Sequence, residues 1–212
     1  MTTFSKLLAS AAPEAGGLRL EVPTDWMQGR SVFGGLQVAF ALQAMRALVP
    51  GVPLRTLQTT FIAPVSGSMH ASARVLRQGK NVTVVEARIG DAASPQAIVI
   101  AAFGAARSSV VARRVVQPAV AVDPARVIGV ALGQRTEHAP RFTSHFGVRW
   151  LRGLPPFTED TTYKHVLEIE MGDDGQHDLT EAHLVAIADY PPPVALSFLK
   201  APAPGSTLTW ML

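Results

Sequence analysis

The chain has 212 residues, 48% of them hydrophobic and 17% charged, with a formal net charge of +3 and no cysteine. This length holds one large globular domain or two smaller ones, and the missing cysteines exclude a disulfide framework, a thiolate metal site and a cysteine nucleophile. The longest apolar run, Ala97 to Ala106, is about half of the roughly 20 residues a membrane-spanning helix needs. Met1 to Leu8 has no apolar stretch behind it of the kind a secretion signal carries, so the expectation is a cytoplasmic protein without a membrane span.

In chain order, Leu18 to Val22 alternates apolar and charged residues, the period of a half-buried strand. Gly35 to Val49 is rich in Ala, Leu, Gln and Met and stops at Pro50-Gly51, which predicts a helix. Its apolar positions cover most of its circumference, so it should be buried on most sides. Four strand-like runs follow, Thr56 to Pro64, Ser68 to Leu76, Asn81 to Gly90 and Gln96 to Arg107. The turns between them are too short for crossover helices, and the sheet should be antiparallel.

The composition changes near Ser108 to Pro124. Up to Val120 twelve Lys and Arg face five Asp and Glu; from Ala121 onward seven face eleven. This predicts an N-terminal unit over residues 1–112, a linker over 113–125 and a C-terminal unit over 126–212. The scattered arginines of the basic half form no nucleic-acid stripe; a basic pocket for one phosphorylated small molecule and plain surface charge both remain open. In the second unit Phe142 to Leu151 and Tyr163 to Met171 read as strands, Asp178 as the N-cap of a helix running to Ala188, Val194 to Lys200 as a further helical stretch, and Thr207 to Leu212 as a strand. The scheme of the first unit thus begins again, without the three strands that would close its sheet. An unfinished sheet leaves an unpaired edge, so the expectation is a homo-oligomer, or a chain shorter than its gene product.

Three segments carry a family resemblance: Arg30-Ser-Val-Phe-Gly-Gly-Leu-Gln-Val-Ala-Phe-Ala-Leu-Gln43, Leu57-Gln-Thr-Thr-Phe-Ile-Ala-Pro-Val65 and Val75-Leu-Arg-Gln-Gly-Lys-Asn81. They resemble the acyl-CoA thioesterase II family, whose members are double-hotdog proteins. The resemblance implies an α+β tandem hotdog fold, each antiparallel sheet wrapped around a central helix, with the second hotdog incomplete. It implies hydrolysis of a fatty acyl-CoA to the free acid and CoA, with no cofactor beyond the CoA of the substrate itself. In hotdog thioesterases backbone N–H groups at a helix N-terminus polarise the thioester carbonyl while a carboxylate, or a carboxylate-hydroxyl-amide set, activates water.

Carried onto this chain, the resemblance makes Gly35 a catalytic backbone donor, and Phe33 and Gly34 substrate-binding neighbours; tight helix packing is the competing reading of the glycines. Arg77, Gly79 and Lys80, at a turn of the basic unit, are candidates for the CoA phosphates. The family's activating Asp falls at Thr209, in Leu208-Thr209-Trp210, and a threonine hydroxyl is no general base near neutral pH. The nearest carboxylate is Asp189, beside the Pro191–Pro193 run, which reads either as a base or as a local turn acceptor. With Thr209 in place of Asp, the alternative is a protein that binds acyl-CoA or a similar lipid without hydrolysing it. No serine-hydrolase elbow, zincin or P-loop motif is present, the six histidines are dispersed, and no metal site is expected.

Overall fold

The computed structural model describes residues 1–91, 93–117, 119–173, 179–203 and 205–212. Helix α1 (Phe4–Ala9) and strand β1 (Ala12–Glu14) lead into β2 (Gly17–Glu21), and β3 (Met27–Gln28) with β4 (Ser31–Val32) forms a short ribbon before α2 (Gly34–Arg46). Then come β5 (Leu54–Phe61), β6 (Ser68–Gln78), β7 (Val82–Gly90) and β8 (Pro95–Gly104). The second part carries β9 (Ile128–Val130), β10 (Phe146–Arg152), β11 (Val166–Met171), α3 (Glu181–Asp189) and β12 (Thr209–Met211).

The large sheet has the order β1-β2-β6-β7-β8-β5-β12, with every neighbour antiparallel. Its alternation is the one expected from the sequence. Met69 and Ala71, Val85, Ala87 and Ile89, and Val99, Ala101 and Phe103 are buried on the face that wraps α2. All residues of α2 are buried except Gln43 and Arg46, because the helix is covered by the sheet on one side and by α3 on the other. Each large side chain so enclosed contributes about 1.5–3 kcal/mol of hydrophobic stabilisation. On the outer face Glu86 lies between Arg74 and Arg88, at 3.1 and 2.8 Å from their Nε atoms. The hydrogen bond from Arg74 leads in holding its carboxyl below the usual range.

The second part builds a three-stranded sheet, β11-β10-β9. Here several boundaries differ from the sequence expectation. Phe142 sits in a 3-10 turn, Arg141–His145, rather than in a strand. The hydroxyls of Thr143 and Ser144 donate back to the carbonyls of Pro140 and Arg141 at 2.7 and 2.9 Å, which competes with a ladder. Strand β11 begins at Val166 rather than Tyr163, since Asp160 accepts from the amides of Leu154 and Thr162 and holds that stretch as a loop. The helical stretch expected over Val194 to Lys200 is a 3-10 helix over Val194–Phe198. The expected cap Asp178 lies outside the described residues; the helix starts two residues later, where Thr180 and His183 form a capping box.

Besides the packing of α3 on α2, two features tie the parts together. Strand β12, the strand after α3, pairs with β5, the strand after α2, through Thr209↔Thr60, Trp210↔Thr59 and Met211↔Gln58. An aromatic block forms the second tie. Phe33 stacks on Phe142 with ring centroids 3.9 Å apart, Trp26 stacks on His145 at 3.8 Å, and Phe146 meets Phe33 edge-on. Helix α1, which the sequence did not reveal, belongs to the same assembly: Phe4 packs on Trp26 and His183, and the amide of Ser5 reaches Asp173.

Candidate active site

The N-terminal end of α2 meets the C-terminal end of α3. A Cβ on Gly35 would stand 3.0 Å from the Ala186 Cα and 2.7 Å from the Phe33 ring, so only glycine allows the helices this approach. A Cβ on Gly34 would stand 2.7 Å from Asp189 Oδ2 and 3.0 Å from the Phe61 ring. The two glycines therefore expose backbone at a point where a carboxylate and an aromatic ring converge.

Asp189 is the chemical centre of this arrangement. Its carboxylate accepts a hydrogen bond from the Gly35 N–H, at a helix N-terminus that favours negative charge. Burial nevertheless outweighs that bond and pushes the carboxyl up to about 6. The next residue, Tyr190, is buried against Phe142 and Phe146, and burial raises its phenol to about 12, so it stays neutral at physiological pH. Below the helices, Leu57 and Thr59 of β5 are fully enclosed, and the Thr59 hydroxyl has no hydrogen-bond partner among the described residues.

Of the sequence candidates, the structure brings Phe33, Gly34, Gly35 and Asp189 together. The packing reading of Gly35 holds, and its amide is bonded to the Asp189 carboxylate. Thr209 stands apart. It pairs with Thr60, both side chains are exposed, and opposite residues in a ladder share a face, so Thr209 points away from α2. The residue turned inward from β12 is Trp210, opposite Thr59. Arg77, near the end of β6, and Gly79 and Lys80, in the β6–β7 turn, are all exposed. Phe61 and the Phe142–Tyr190 wall were not singled out from the sequence. Phe61 opens the Phe-Ile-Ala-Pro-Val run that carried the resemblance, which is the one signal that pointed to it.

Comparison with known proteins bears on the fold. The family model described as acyl-CoA thioesterase N-terminal domain matches residues 22–105. No curated protein matches the chain. Among solved structures, a conserved protein of unknown function with hot dog fold from Alicyclobacillus acidocaldarius superimposes with a TM-score of 0.79 at 21% identity, over 98% of this chain and 76% of that one. A candidate thioesterase II from Thermobifida fusca gives 0.73 at 18% identity, over 100% and 81%. An acyl-CoA thioesterase II, TesB2, from Mycobacterium marinum gives 0.62 at 16% identity, over 88% and 68%. The fold is the double hotdog, and the chain resembles acyl-CoA thioesterase II most specifically through its first unit.

Proposed function

We propose that this chain is an acyl-CoA thioesterase in which Asp189 is the general base. The observation that carries the proposal is the Asp189 carboxyl, raised to about 6 by burial and held at the Gly34–Gly35 end of α2. A base with such a value is largely ionised at neutral pH yet strong enough to draw a proton from water. In the reaction Asp189 takes one proton from a water molecule as its oxygen attacks the thioester carbonyl carbon. The carbonyl oxygen becomes an oxyanion facing the α2 amides, where N–H groups and the helix dipole stabilise it. Collapse re-forms the carbonyl and breaks the carbon–sulfur bond, and the protonated Asp189 returns its proton to the departing thiolate. The products are the free acid and CoA.

A carbonyl oxygen entering this site competes with Asp189 for the Gly35 N–H. Losing that bond raises the carboxylate's proton affinity when the base is needed. Thr209 takes no part in this scheme. Arg77 and Lys80, with Gly79 between them, supply the exposed cations for the CoA phosphates, consistent with the flexible, solvated charge that phosphate contacts at a pocket mouth require. The units 1–112 and 126–212 with linker 113–125 are part of the same proposal, and so is self-association: β12 edges the large sheet, with Leu208, Met211 and Leu212 exposed beside it. A monomer mass by light scattering would remove that last element.

The test is CoA release from a series of acyl-CoA chain lengths by wild type and Asp189→Asn. Wild type should turn over at least one chain length, and the variant should lose about 10²–10⁴-fold in kcat while keeping its melting temperature or raising it. Equal rates in the two proteins would overturn the assignment. Binding of acyl-CoA with no release by wild type would reduce the protein to a carrier.

A further inference from the structure

Beneath α2 the inner face of the large sheet is sealed: Leu57 and Thr59 of β5 are fully enclosed, as are Ala101 and Val99 opposite them on β8. One strand further out the same face opens. The β5–β12 ladder continues past the ends of β12, since the Phe61 N–H donates to the Leu208 carbonyl and Leu57 and Leu212 exchange both bonds, all at 2.9 Å. Leu208, Trp210 and Leu212 therefore stand opposite Phe61, Thr59 and Leu57, and opposite residues of a ladder share a face.

These three are not covered as β5 is. Leu208 is 72% and Leu212 48% exposed, and Trp210 between them is only partly buried. Helix α3 packs on α2 and touches β11, and it leaves this strip to solvent. One end of the strip lies at the site already described. Phe61, opposite Leu208, has its ring edge 3.0 Å from where a Gly34 Cβ would stand, and Asp189 closes on the same point. An acyl chain whose carbonyl sits at the Gly35 amide thus has two ways to run. Under α2 it would overpack a sealed core; along β12 it would cover apolar side chains that are now exposed. The second way crosses Trp210, an indole between two leucines, anchored by packing against the buried core.

We propose that Trp210 sets the acyl chain length this protein accepts: the chain passes Phe61, lies on Leu208 and ends against the indole. The inference rests on the reading of the Gly35–Asp189 site as the place of the thioester carbonyl. Leu208 and Trp210 are two residues apart, about 7 Å along the strand. With carbon–carbon bonds of about 1.5 Å, an extended chain covers that distance in about five carbons, and the few between the carbonyl and Phe61 bring the indole to about the eighth. Longer chains gain no further apolar contact unless the indole is removed.

The probes are S-alkyl-CoA thioethers with chains of four, eight, twelve and sixteen carbons, which cannot be hydrolysed. They would be titrated calorimetrically into wild type, Trp210→Ala, Leu208→Trp and Met211→Ala. Each buried methylene is worth about fourfold in affinity, so wild type should gain steeply from four to eight carbons and change less than about threefold from eight to twelve. Trp210→Ala should bind twelve carbons about tenfold or more tightly than eight. Leu208→Trp sets a second indole nearer Phe61 and should end the gain at four carbons. Met211→Ala, on the other face of the strand, should match wild type. Wild-type affinity that rises evenly to sixteen carbons, an unchanged profile in Trp210→Ala, or no thioether binding would each overturn the inference. So would a Leu208→Trp protein whose mass by light scattering changes while its profile does not, which gives the strip to a second copy. If Trp210→Ala fails to fold, Leu208→Trp, at an exposed position, decides alone. Catalysis is separable: a wild type with the break at eight carbons but no CoA release from acyl-CoA keeps the inference and loses the reaction, and CoA release with a break that Trp210→Ala leaves in place does the reverse.

Discussion

At Asp189 one carboxyl is asked to satisfy two opposed requirements, and its displaced proton affinity records the balance. A shift from 3.8 to about 6 corresponds to about 3 kcal/mol of preference for the neutral form in the folded state. Its sign fixes two pH dependences. For activity, the base is the ionised form, so kcat/KM should rise about tenfold per pH unit below 6 and level off above it; a flat profile between pH 5 and 7 would separate Asp189 from catalysis. For stability, a folded value above the unfolded one gives a contribution fully present below pH 3.8 and lost as pH rises through about 6. Asp189→Asn, which keeps the shape and can still accept from Gly35, should therefore raise stability at pH 7.5 by up to about 3 kcal/mol relative to its effect near pH 4. Thermal melts at the two pH values measure that difference. Proximity to Gly35 was not legible in the sequence, because the two residues are separated by most of the chain and each reads locally as a packing glycine and a helix-end acceptor. Thr209 illustrates the converse: its place in a short motif was readable, but the side-chain period of two in a strand decides which residue faces the helix, and the pairing with β5 turns Trp210 inward instead.

At the scale of elements, the contact between α2 and α3 separates two kinds of glycine. Gly35→Ala would drive a Cβ toward backbone, the Ala186 Cα at 3.0 Å, as well as into the Phe33 ring. Backbone cannot swing aside, so the helices must part, at about 1–3 kcal/mol of stability. Gly34→Ala instead meets the far end of a carboxylate and a ring edge, both of which can rotate. Its effect should fall on kcat rather than on melting temperature, and a paired measurement of the two variants tests the split. The elements that the sequence announced are those whose pattern is self-contained: β2 and β5 to β8 each bury one face of a regular period, and α2 is apolar over most of its circumference. Helix α1 has only six residues, too few to form alone, and owes its place to Phe4, Leu7 and the Ser5–Asp173 contact, all supplied from remote parts of the chain. Phe142 was misread for a related reason, since it alternates like a strand residue but spends its burial on Phe33.

Across the whole molecule, the two halves are joined by rings as much as by the β5–β12 ladder, and one of the rings titrates. His145 is buried against Trp26, and desolvation lowers its proton affinity despite Asp25 Oδ2 3.2 Å away. A histidine whose folded value is depressed contributes stability that is present above about pH 6.5 and lost as pH falls toward the folded value. Asp189 acts in the opposite direction over the adjoining range, so wild type should show a shallow dependence between pH 4 and 6.5 while each single variant exposes one of the two slopes. His145→Phe keeps an aromatic ring on Trp26 and removes the proton, so the remaining Asp189 contribution should make it gain stability as pH falls. Asp189→Asn should lose stability over the same interval more steeply than wild type. Melting curves of the three proteins across that range provide the check, and parallel curves would show that the joint between the halves does not respond to either proton.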